Sequence, residues 1–217
     1  MLKAMLFDLD GTIADTNTLI FESFRFTLKT HGIDGISDEK IYSFFGEPLF
    51  DSMQKFAPGQ ASELMKTYRS FNERVHDEMI RPFPGVREAL AELRDMGLNL
   101  GIVTSKRGEV ALRSLKVLDL TDYFRVVVTP EHTSSHKPHP APVRHGVELL
   151  GIRPEEAMMI GDSPYDLLSG RAAGTLTCGV DYSRINLNIL YQTNPDYMIS
   201  HVHELVSIVG ELNKGVL

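Results

Sequence analysis

Two aspartates, Asp8 and Asp10, follow the first apolar run of the sequence, residues 4–7, and flank a leucine just before Gly11. An apolar run of this length that ends at a turn signal predicts a buried strand. Side chains of a strand alternate with a period of two, so an extended backbone as far as Asp10 would point both carboxylates to one side. Close carboxylates repel each other, and the pair is therefore costly unless a cation bridges it or one carboxylate takes a proton.

Polar residues also follow three later apolar runs, which cover residues 98–103, 126–128 and 157–160. These polar residues are Thr104, Ser105, Lys137, Asp162 and Asp166. In a parallel sheet with right-handed crossovers, the residues after successive strands lie at the same, carboxyl-terminal edge. We therefore expect them to converge with the two aspartates of the first strand on one site. The alternative is a set of unrelated loop residues, since loops are polar by default.

The convergent residues suit phosphoryl transfer to water from a small anionic phosphate substrate. Carboxylates without histidine or cysteine favour a hard cation, and Mg²⁺ typically takes one or two carboxylates together with phosphate oxygens. Thr104 and Lys137 can hold the remaining phosphoryl oxygens. We assign Asp8 as the nucleophile, which would form an aspartyl-phosphate, and Asp10 as the acid and base that serves the leaving oxygen and the attacking water.

The elements that must position these residues fall into two parts. From residue 16 to residue 81, apolar residues recur at helical spacing without a strand pattern, which predicts an all-helical unit. From residue 82 onward, helical patterns alternate with short apolar runs. This order predicts an α/β fold, a doubly wound (Rossmann-like) parallel sheet with an inserted all-helical cap domain. We place the core at residues 1–15 and 82–217 and the cap at residues 16–81.

The composition narrows the class of partner. The 217 residues carry a net charge of −7, which argues against a general binder of nucleic acid or of anionic membranes, although one site can still be positive. No apolar run approaches the roughly 20 residues needed to span a bilayer, and no signal peptide precedes the first strand. The single cysteine, Cys178, excludes an internal disulfide. We therefore expect a cytoplasmic protein.

Four segments resemble, in order and spacing, the four motifs of the haloacid dehalogenase (HAD) superfamily. They are Asp8-Leu9-Asp10-Gly11-Thr12, the strand that ends in Thr104-Ser105, Lys137-Pro138 and the segment Gly161-Asp162-Ser163-Pro164-Tyr165-Asp166. The resemblance implies that Asp8, Asp162 and the main-chain carbonyl of Asp10 ligate Mg²⁺, with Asp166 behind them or joined through water. It also implies that Thr104 and Lys137 hold the phosphoryl group and that a helical cap opens and closes to select the substrate.

Details of the motifs narrow the activity within the superfamily. Members that cleave carbon–halogen bonds lack the second aspartate, so the resemblance through Asp10 implies phosphate chemistry. Cap segments 15–20, 45–49 and 68–72 look similar to those of PpaX-type bacterial pyrophosphatases, although Glu47 differs from that pattern. Phosphoglycolate phosphatases are the next closest pattern. Pyrophosphate and a small phosphate ester are thus alternative substrates, and a β-phosphoglucomutase-like activity is a third possibility.

Other polar residues have plainer interpretations. Lys106 and Arg107 either contact the substrate or begin a solvated helix, which is the more common case. His76 is expected on the solvated face of a long cap helix. The histidines around Lys137 lack the cysteines and the regular spacing of a zinc site, so we interpret them as ordinary loop residues. They are His132, His136 and His139.

Two functions of other classes are alternatives to hydrolysis. A signalling receiver also surrounds a phosphorylated aspartate with acidic residues, a hydroxyl and a lysine, but it carries its aspartate without a helical insert. An inactive binding protein on the same fold would have lost a catalytic residue, whereas all four motifs are present here. Both alternatives are therefore disfavoured, although a fold by itself does not establish an activity.

Overall fold

The computed structural model describes residues 1–214 and contains a six-stranded and a two-stranded sheet. The strands are β1 (Ala4–Phe7), β2 (Ala14–Asp15), β3 (Arg81–Pro82), β4 (Asn99–Val103), β5 (Val126–Val128), β6 (Ala157–Gly161), β7 (Leu176–Val180) and β8 (Tyr197–Ile199). The α-helices are α1 (Asn17–Thr30), α2 (Asp38–Tyr42), α3 (Leu49–Phe56), α4 (Ala61–Met79), α5 (Val86–Asp95), α6 (Gly108–Val117), α7 (Ala141–Leu149), α8 (Pro164–Ala173), α9 (Leu187–Gln192) and α10 (Glu204–Lys214). Within residues 1–214, every helix is too short or too polar to cross a membrane.

The large sheet has the strand order β5-β4-β1-β6-β7-β8, and every neighbouring pair is parallel. β1 lies in the middle, with Phe7 opposite Ile102 of β4 and Ile160 of β6. The three central strands therefore end at nearly the same level, and the residues that follow them share one edge of the sheet. The predicted α/β fold with a parallel sheet is confirmed.

Both faces of the sheet are covered by helices, and the sequence of β1 shows why. All four residues of β1 are buried, and their side chains alternate between two apolar clusters. Met5 and Phe7 pack with residues of α5, α6 and α10, whereas Ala4 and Leu6 pack with residues of α7 and α8. Burial of one large apolar side chain contributes about 1.5–3 kcal/mol. A strand without any polar side chain is thus stable only between two layers.

Four helices, α1–α4, lie between β2 and β3 and share an apolar cluster of their own. Phe24 of α1 packs edge-on against Tyr68 of α4, with the ring centroids 5.1 Å apart. β2 pairs antiparallel with β3, so a short ladder joins the two ends of this helical segment. The predicted cap begins at residue 16, directly after β2, and ends at residue 81, the first residue of β3. Neither the ladder nor α9 was predicted from the sequence, because strands of two residues carry no periodicity and a helix of six residues carries little.

His76 differs from the sequence prediction, because it is buried where α4 meets α6 instead of facing solvent. Its Nδ1 lies 2.8 Å from Asp77 Oδ1, and its Nε2 lies 2.8 Å from Ser114 Oγ. Burial lowers the pKa of His76, and the cations Lys106 and Arg113 add to this effect against the opposing hydrogen bond to Asp77. A neutral ring with its proton on Nδ1 donates to the carboxylate and leaves Nε2 as an acceptor beside the hydroxyl of Ser114, which also lies 2.9 Å from the carbonyl oxygen of Val110.

Acidification should weaken the fold through His76. A folded-state pKa below the ordinary value of 6.5 means that the unfolded chain binds the proton first. The free energy of unfolding should therefore fall as the pH drops below this value. In His76→Gln, which cannot titrate, this part of the decrease should be absent.

Urea denaturation at a series of pH values from neutral to mildly acidic measures this difference. His203→Gln is the matched control, because His203 is exposed and pairs with Glu92 on the surface. If the unfolding free energies of the unmodified protein and His76→Gln showed the same slope against pH, the burial of a neutral His76 would be contradicted.

Candidate active site

Asp8, Thr104 and Asp162 follow the three central strands and lie together at the carboxyl edge of the sheet. The hydrogen bonds of the sheet continue one residue beyond two of these strands. Asp8 N donates to Ile160 O at 2.8 Å, and Thr104 N donates to Val128 O at 3.0 Å. All three side chains are buried and line one cavity. The sheet therefore fixes the backbone from which the site is built, as the sequence predicted.

Lys137 reaches this edge from the loop before α7 and connects three parts of the site. Its Nζ donates to Asp8 Oδ1 at 2.6 Å, to Asp166 Oδ1 at 2.5 Å and to the carbonyl oxygen of Val103 at 3.0 Å. Burial opposes the charge of the ammonium group, but the adjacent Asp166 and Asp8 raise the pKa of Lys137 above its ordinary value. The lysine is therefore a fixed cation at the centre of the site.

Asp8, Asp162 and Asp166 form a buried carboxylate cluster in which one oxygen of each lies within 4.8 Å of the others. Burial raises the pKa of Asp8 to about 7, even though the charge of Lys137 lowers it. Burial, followed by the charges of Asp166 and Asp8, raises the pKa of Asp162 well above its ordinary value. One lysine offsets only one of three negative charges, so the ionised cluster requires a further cation. A donor set made only of carboxylate oxygens fits Mg²⁺.

The hydrogen bonds distinguish the three carboxylates. Both oxygens of Asp166 are engaged, Oδ1 by Lys137 and Oδ2 by the main-chain N and the hydroxyl of Ser163 at 3.1 and 2.6 Å. Asp8 uses Oδ1 for Lys137, and Asp162 uses Oδ2 for the hydroxyl of Ser183 at 2.5 Å. The second oxygens of Asp8 and Asp162 accept no hydrogen bond from residues 1–214. These two oxygens are therefore the ones best placed to bind a cation directly.

Gly11 makes room for Asp162. Its φ of +80° lies in the left-handed region, and a Cβ at this position would lie 2.0 Å from Asp162 Oδ2 and 3.1 Å from Ser183 Oγ. Any larger residue would thus combine backbone strain with displacement of the carboxylate. The sequence motif contains this glycine, but only the structure shows which group it accommodates.

Asp10 lines the same cavity as Asp8 but does not join the carboxylate cluster. Its Oδ1 accepts from Lys106 Nζ at 2.8 Å, and both side chains are largely buried. Lys106 is thus neither a solvated helix start nor a distant residue, and it precedes α6. Its main-chain N also donates to Thr104 Oγ1 at 3.1 Å. The only sequence signal for the contact between Lys106 and Asp10 was the position of Lys106 two residues after Thr104.

The cavity has a volume of about 620 Å³ and lies between the sheet edge and the helical segment. Ser105, Lys106 and Arg107 line it from the core side, and Arg69 lines it from α4. Glu47 also lines it and is paired with Lys55, whose Nζ lies 2.7 Å away. A molecule in the cavity would therefore touch residues from both parts of the chain.

The other polar residues considered in the sequence do not add ligands to the carboxylate cluster. Arg107 lines the cavity but pairs with Glu73 of α4, and His76 is not part of the cavity lining. Among residues 1–214 the aspartate cluster is the only group with the proximity needed for a metal ion, so the loop histidines do not assemble. His132, for example, uses Nδ1 to accept from the main-chain N of Thr129 at 3.0 Å.

Gly11→Ala should lower both the free energy of unfolding and the affinity for Mg²⁺, because the new methyl group displaces Asp162. Gly32→Ala is the matched control, since its φ is +65° but a Cβ there meets nothing within 4 Å. The control should show only the left-handed strain, about 1–2 kcal/mol. Thermal unfolding with and without Mg²⁺ measures both effects. Equal losses in the two variants would contradict the close fit between Gly11 and Asp162.

Comparison with known proteins places this site in a family. Residues 5–180 match the haloacid dehalogenase-like hydrolases. A protein of Bacillus pumilus named pyrophosphatase PpaX is 40% identical over 209 residues, which cover 96% of this chain and 97% of that protein. A protein of Caldanaerobacter subterraneus subsp. tengcongensis, provisionally named pyrophosphatase PpaX, is 44% identical over 208 residues, which cover 96% of this chain and 94% of that protein.

The fold agrees with this result. A hydrolase of the haloacid dehalogenase-like family from Streptococcus pneumoniae superimposes with a TM-score of 0.87 at 28% identity, covering 96% of this chain and 98% of that structure. Sequence, fold and the order of the site residues thus lead to the same family. The chain belongs to the haloacid dehalogenase-like hydrolases.

Proposed function

We propose that the protein is a Mg²⁺-dependent phosphohydrolase that acts through an aspartyl-phosphate on Asp8. The observation that carries the proposal is the contact of one buried lysine, Lys137, with both Asp8 and Asp166, beside free oxygens of Asp8 and Asp162. This arrangement offers a nucleophile, a place for a divalent cation and a fixed positive charge within one cavity. Phosphoryl transfer depends mainly on such positioning and charge.

Two residues of the cation site follow from the free oxygens, because Asp8 and Asp162 would hold Mg²⁺ directly. The resemblance to the family adds the main-chain carbonyl of Asp10 as a third ligand. Asp166 would not bind the cation directly, since Lys137 and Ser163 occupy its oxygens. When bound, Mg²⁺ offsets the negative charge of the cluster and of the phosphoryl oxygens. Lys137, Thr104 and Ser105 would hold the phosphoryl oxygens on the other side.

Two displacements complete the reaction. In the first, a carboxylate oxygen of Asp8 forms a bond to phosphorus while the bond to the leaving oxygen breaks. Asp10, through the oxygen that does not accept from Lys106, donates a proton to that leaving oxygen. In the second, Asp10 takes a proton from water, and the water oxygen attacks phosphorus. The bond between Asp8 and phosphorus then breaks, so inorganic phosphate is released and the aspartate is restored.

The helical segment is proposed to act as a cap, residues 16–81, on a core of residues 1–15 and 82–217. The position of the cavity between the two parts supports this division, because closure would exclude water and bring α4 over the substrate. The cytoplasmic location expected from the sequence, and the absence of a nucleic-acid or membrane partner, stay predictions.

Pyrophosphate is the substrate that we propose. The two relatives above that bear the name pyrophosphatase PpaX support it, at 40% and 44% identity. The cavity supports it as well, because Arg69 of α4 lines it together with Lys106 and Arg107 of the core. Lys106 and Arg107 pair with Asp10 and Glu73, so the leaving phosphate would have to share these two cations with the carboxylates. A leaving group that is itself a phosphate needs such charges. Phosphoglycolate, whose leaving group carries a carboxylate, is the alternative.

Asp8→Asn should reduce phosphate release from pyrophosphate by roughly a thousandfold or more, because the amide cannot act as the nucleophile. Asp10→Asn should reduce it by about a hundredfold to ten thousandfold through loss of acid and base catalysis. Chelation with EDTA should abolish the activity of the unmodified protein, and added Mg²⁺ should restore it. Asp34→Asn, at an exposed position, is the matched control.

Phosphate release measured at saturating Mg²⁺ tests these expectations. Acid quenching during turnover should in addition trap labelled phosphate on the unmodified protein but not on Asp8→Asn. Near-normal turnover of Asp8→Asn would refute the nucleophile, and activity that persists in EDTA would refute the need for the cation.

The substrate is tested with a panel of pyrophosphate, phosphoglycolate, sugar phosphates and nucleotides at equal concentration. We expect the highest kcat/KM with pyrophosphate, and Arg69→Met should reduce that value more than the value for a neutral phosphate ester. A higher kcat/KM with phosphoglycolate would replace pyrophosphate by the alternative. Formation of an isomeric sugar phosphate without release of phosphate would instead indicate a mutase.

A further inference from the structure

Ser183 is a polar contact of the carboxylate cluster that lies outside the four sequence motifs. It sits in the loop between β7 and α9 and is half-buried. Its hydroxyl donates to Asp162 Oδ2 at 2.5 Å. Asp162 is one of the two carboxylates with an oxygen left free toward the cluster, so the serine contacts a residue that the proposed function assigns to the cation.

The loop around Ser183 is held from three sides. Asp181 N donates to Ile199 O at 3.0 Å, which continues the pairing of β7 with β8. The hydroxyl of Tyr182 donates to the carbonyl oxygen of Thr12 at 2.9 Å, in the turn that follows Asp10. Ile185 packs against the apolar cluster of α1–α4. Ser183 is therefore a fixed part of the site and not a freely rotating surface residue.

The hydroxyl and Gly11 together determine which oxygen of Asp162 faces the cluster. Oδ2 occupies the space that a Cβ of residue 11 would need and accepts from Ser183, and this leaves Oδ1 for a ligand. A carboxylate turns easily about its last bond, because this torsion is broad and two-fold. A hydrogen bond to one oxygen removes that freedom. Ser163 engages Asp166 in the same way, through Oδ2 at 2.6 Å.

We propose that Ser183 is a positioning residue that orients Asp162 for binding of the divalent cation. The inference rests on the proposed function, since it concerns the same site. Groups that hold a metal ligand in place typically change metal affinity by tenfold to a hundredfold when they are removed. Because Ser183 acts through Asp162 and is not itself assigned to the substrate, its loss should weaken cation binding far more than it slows the chemical step.

The experiment compares the unmodified protein with Ser183→Ala, which removes the hydroxyl, and Ser183→Thr, which keeps it. Ser200→Ala is the matched control, because Ser200 also donates to an aspartate, Asp181, at 2.7 Å, but on the exposed surface. The first measurement is calorimetric titration of each metal-free protein with MgCl₂ and no substrate. The second is the melting temperature in EDTA, which reports the fold without the cation.

We expect the Kd for Mg²⁺ to rise about tenfold in Ser183→Ala. It should return to within about threefold of the unmodified value in Ser183→Thr and should not change in Ser200→Ala. The Mg²⁺ concentration needed for half-maximal turnover should rise in parallel, while kcat at saturating Mg²⁺ stays within about threefold of the unmodified value.

If the unmodified protein binds Mg²⁺ and Ser183→Ala binds it with the same Kd, the positioning role of Ser183 is overturned and the proposed function is not. A lower melting temperature in EDTA with an unchanged Kd would likewise overturn it and leave a packing role. Failure of the unmodified protein to bind Mg²⁺ would overturn the proposed function, and the inference with it. The role of Ser183 and the proposed function therefore fail under different results.

Discussion

The site depends on one electrostatic constraint, the burial of three carboxylates around a single lysine. The oxygens of Asp8, Asp162 and Asp166 lie within 4.8 Å of one another, and Lys137 contacts two of the three carboxylates. Removing charges from water is costly, and an incomplete set of partners leaves part of that cost uncompensated. The raised pKa values of Asp8 and Asp162 express this deficit. A divalent cation is the group that would complete the balance.

The fold supplies what this constraint requires. A carboxylate cluster can be held against its own repulsion only if the backbone beneath it cannot move away, and here the backbone is the edge of a parallel sheet. Asp8 follows the central strand β1 and is still bonded to β6 through its main-chain N. The residues beneath it are apolar and completely buried between two helical layers. The stability of the sheet thus offsets the unfavourable electrostatics of the site.

Asymmetry within the cluster gives the carboxylates different roles. Asp166 has both oxygens occupied by Lys137 and Ser163, whereas Asp8 and Asp162 each keep one oxygen free. Three groups of the same chemical type therefore present different faces to the cavity. The loop after β7 takes part in this distinction through Ser183, and it also contacts the helical segment through Ile185. The site is in this way connected to the part of the chain proposed to recognise the substrate.

Much of the fold was readable from local patterns. Short apolar runs that end in polar residues predicted the strands, and helical spacing without strands predicted the segment that contains α1–α4. The site residues at the ends of β1, β4 and β6 followed from the same patterns, because parallel strands place their carboxyl ends at one edge. The two-residue strands β2 and β3 carry too little periodicity for such a prediction. His76 was misplaced because it lies beside, and not within, the apolar stripe of α4 that contains Val75 and Met79. The group that its Nε2 contacts, Ser114, belongs to α6.

The sequence by itself determined which residue types stand at the ends of the strands, and hence the class of chemistry, since strand and turn signals are local. Only the tertiary structure decided which of these groups touch. Lys137 meets Asp8 across 129 residues of sequence, and Lys106 meets Asp10 across 96 residues. Ser183 meets Asp162 from a loop that no motif marks. Such contacts arise from the packing of distant elements, and packing leaves no local signature in the order of the amino acids.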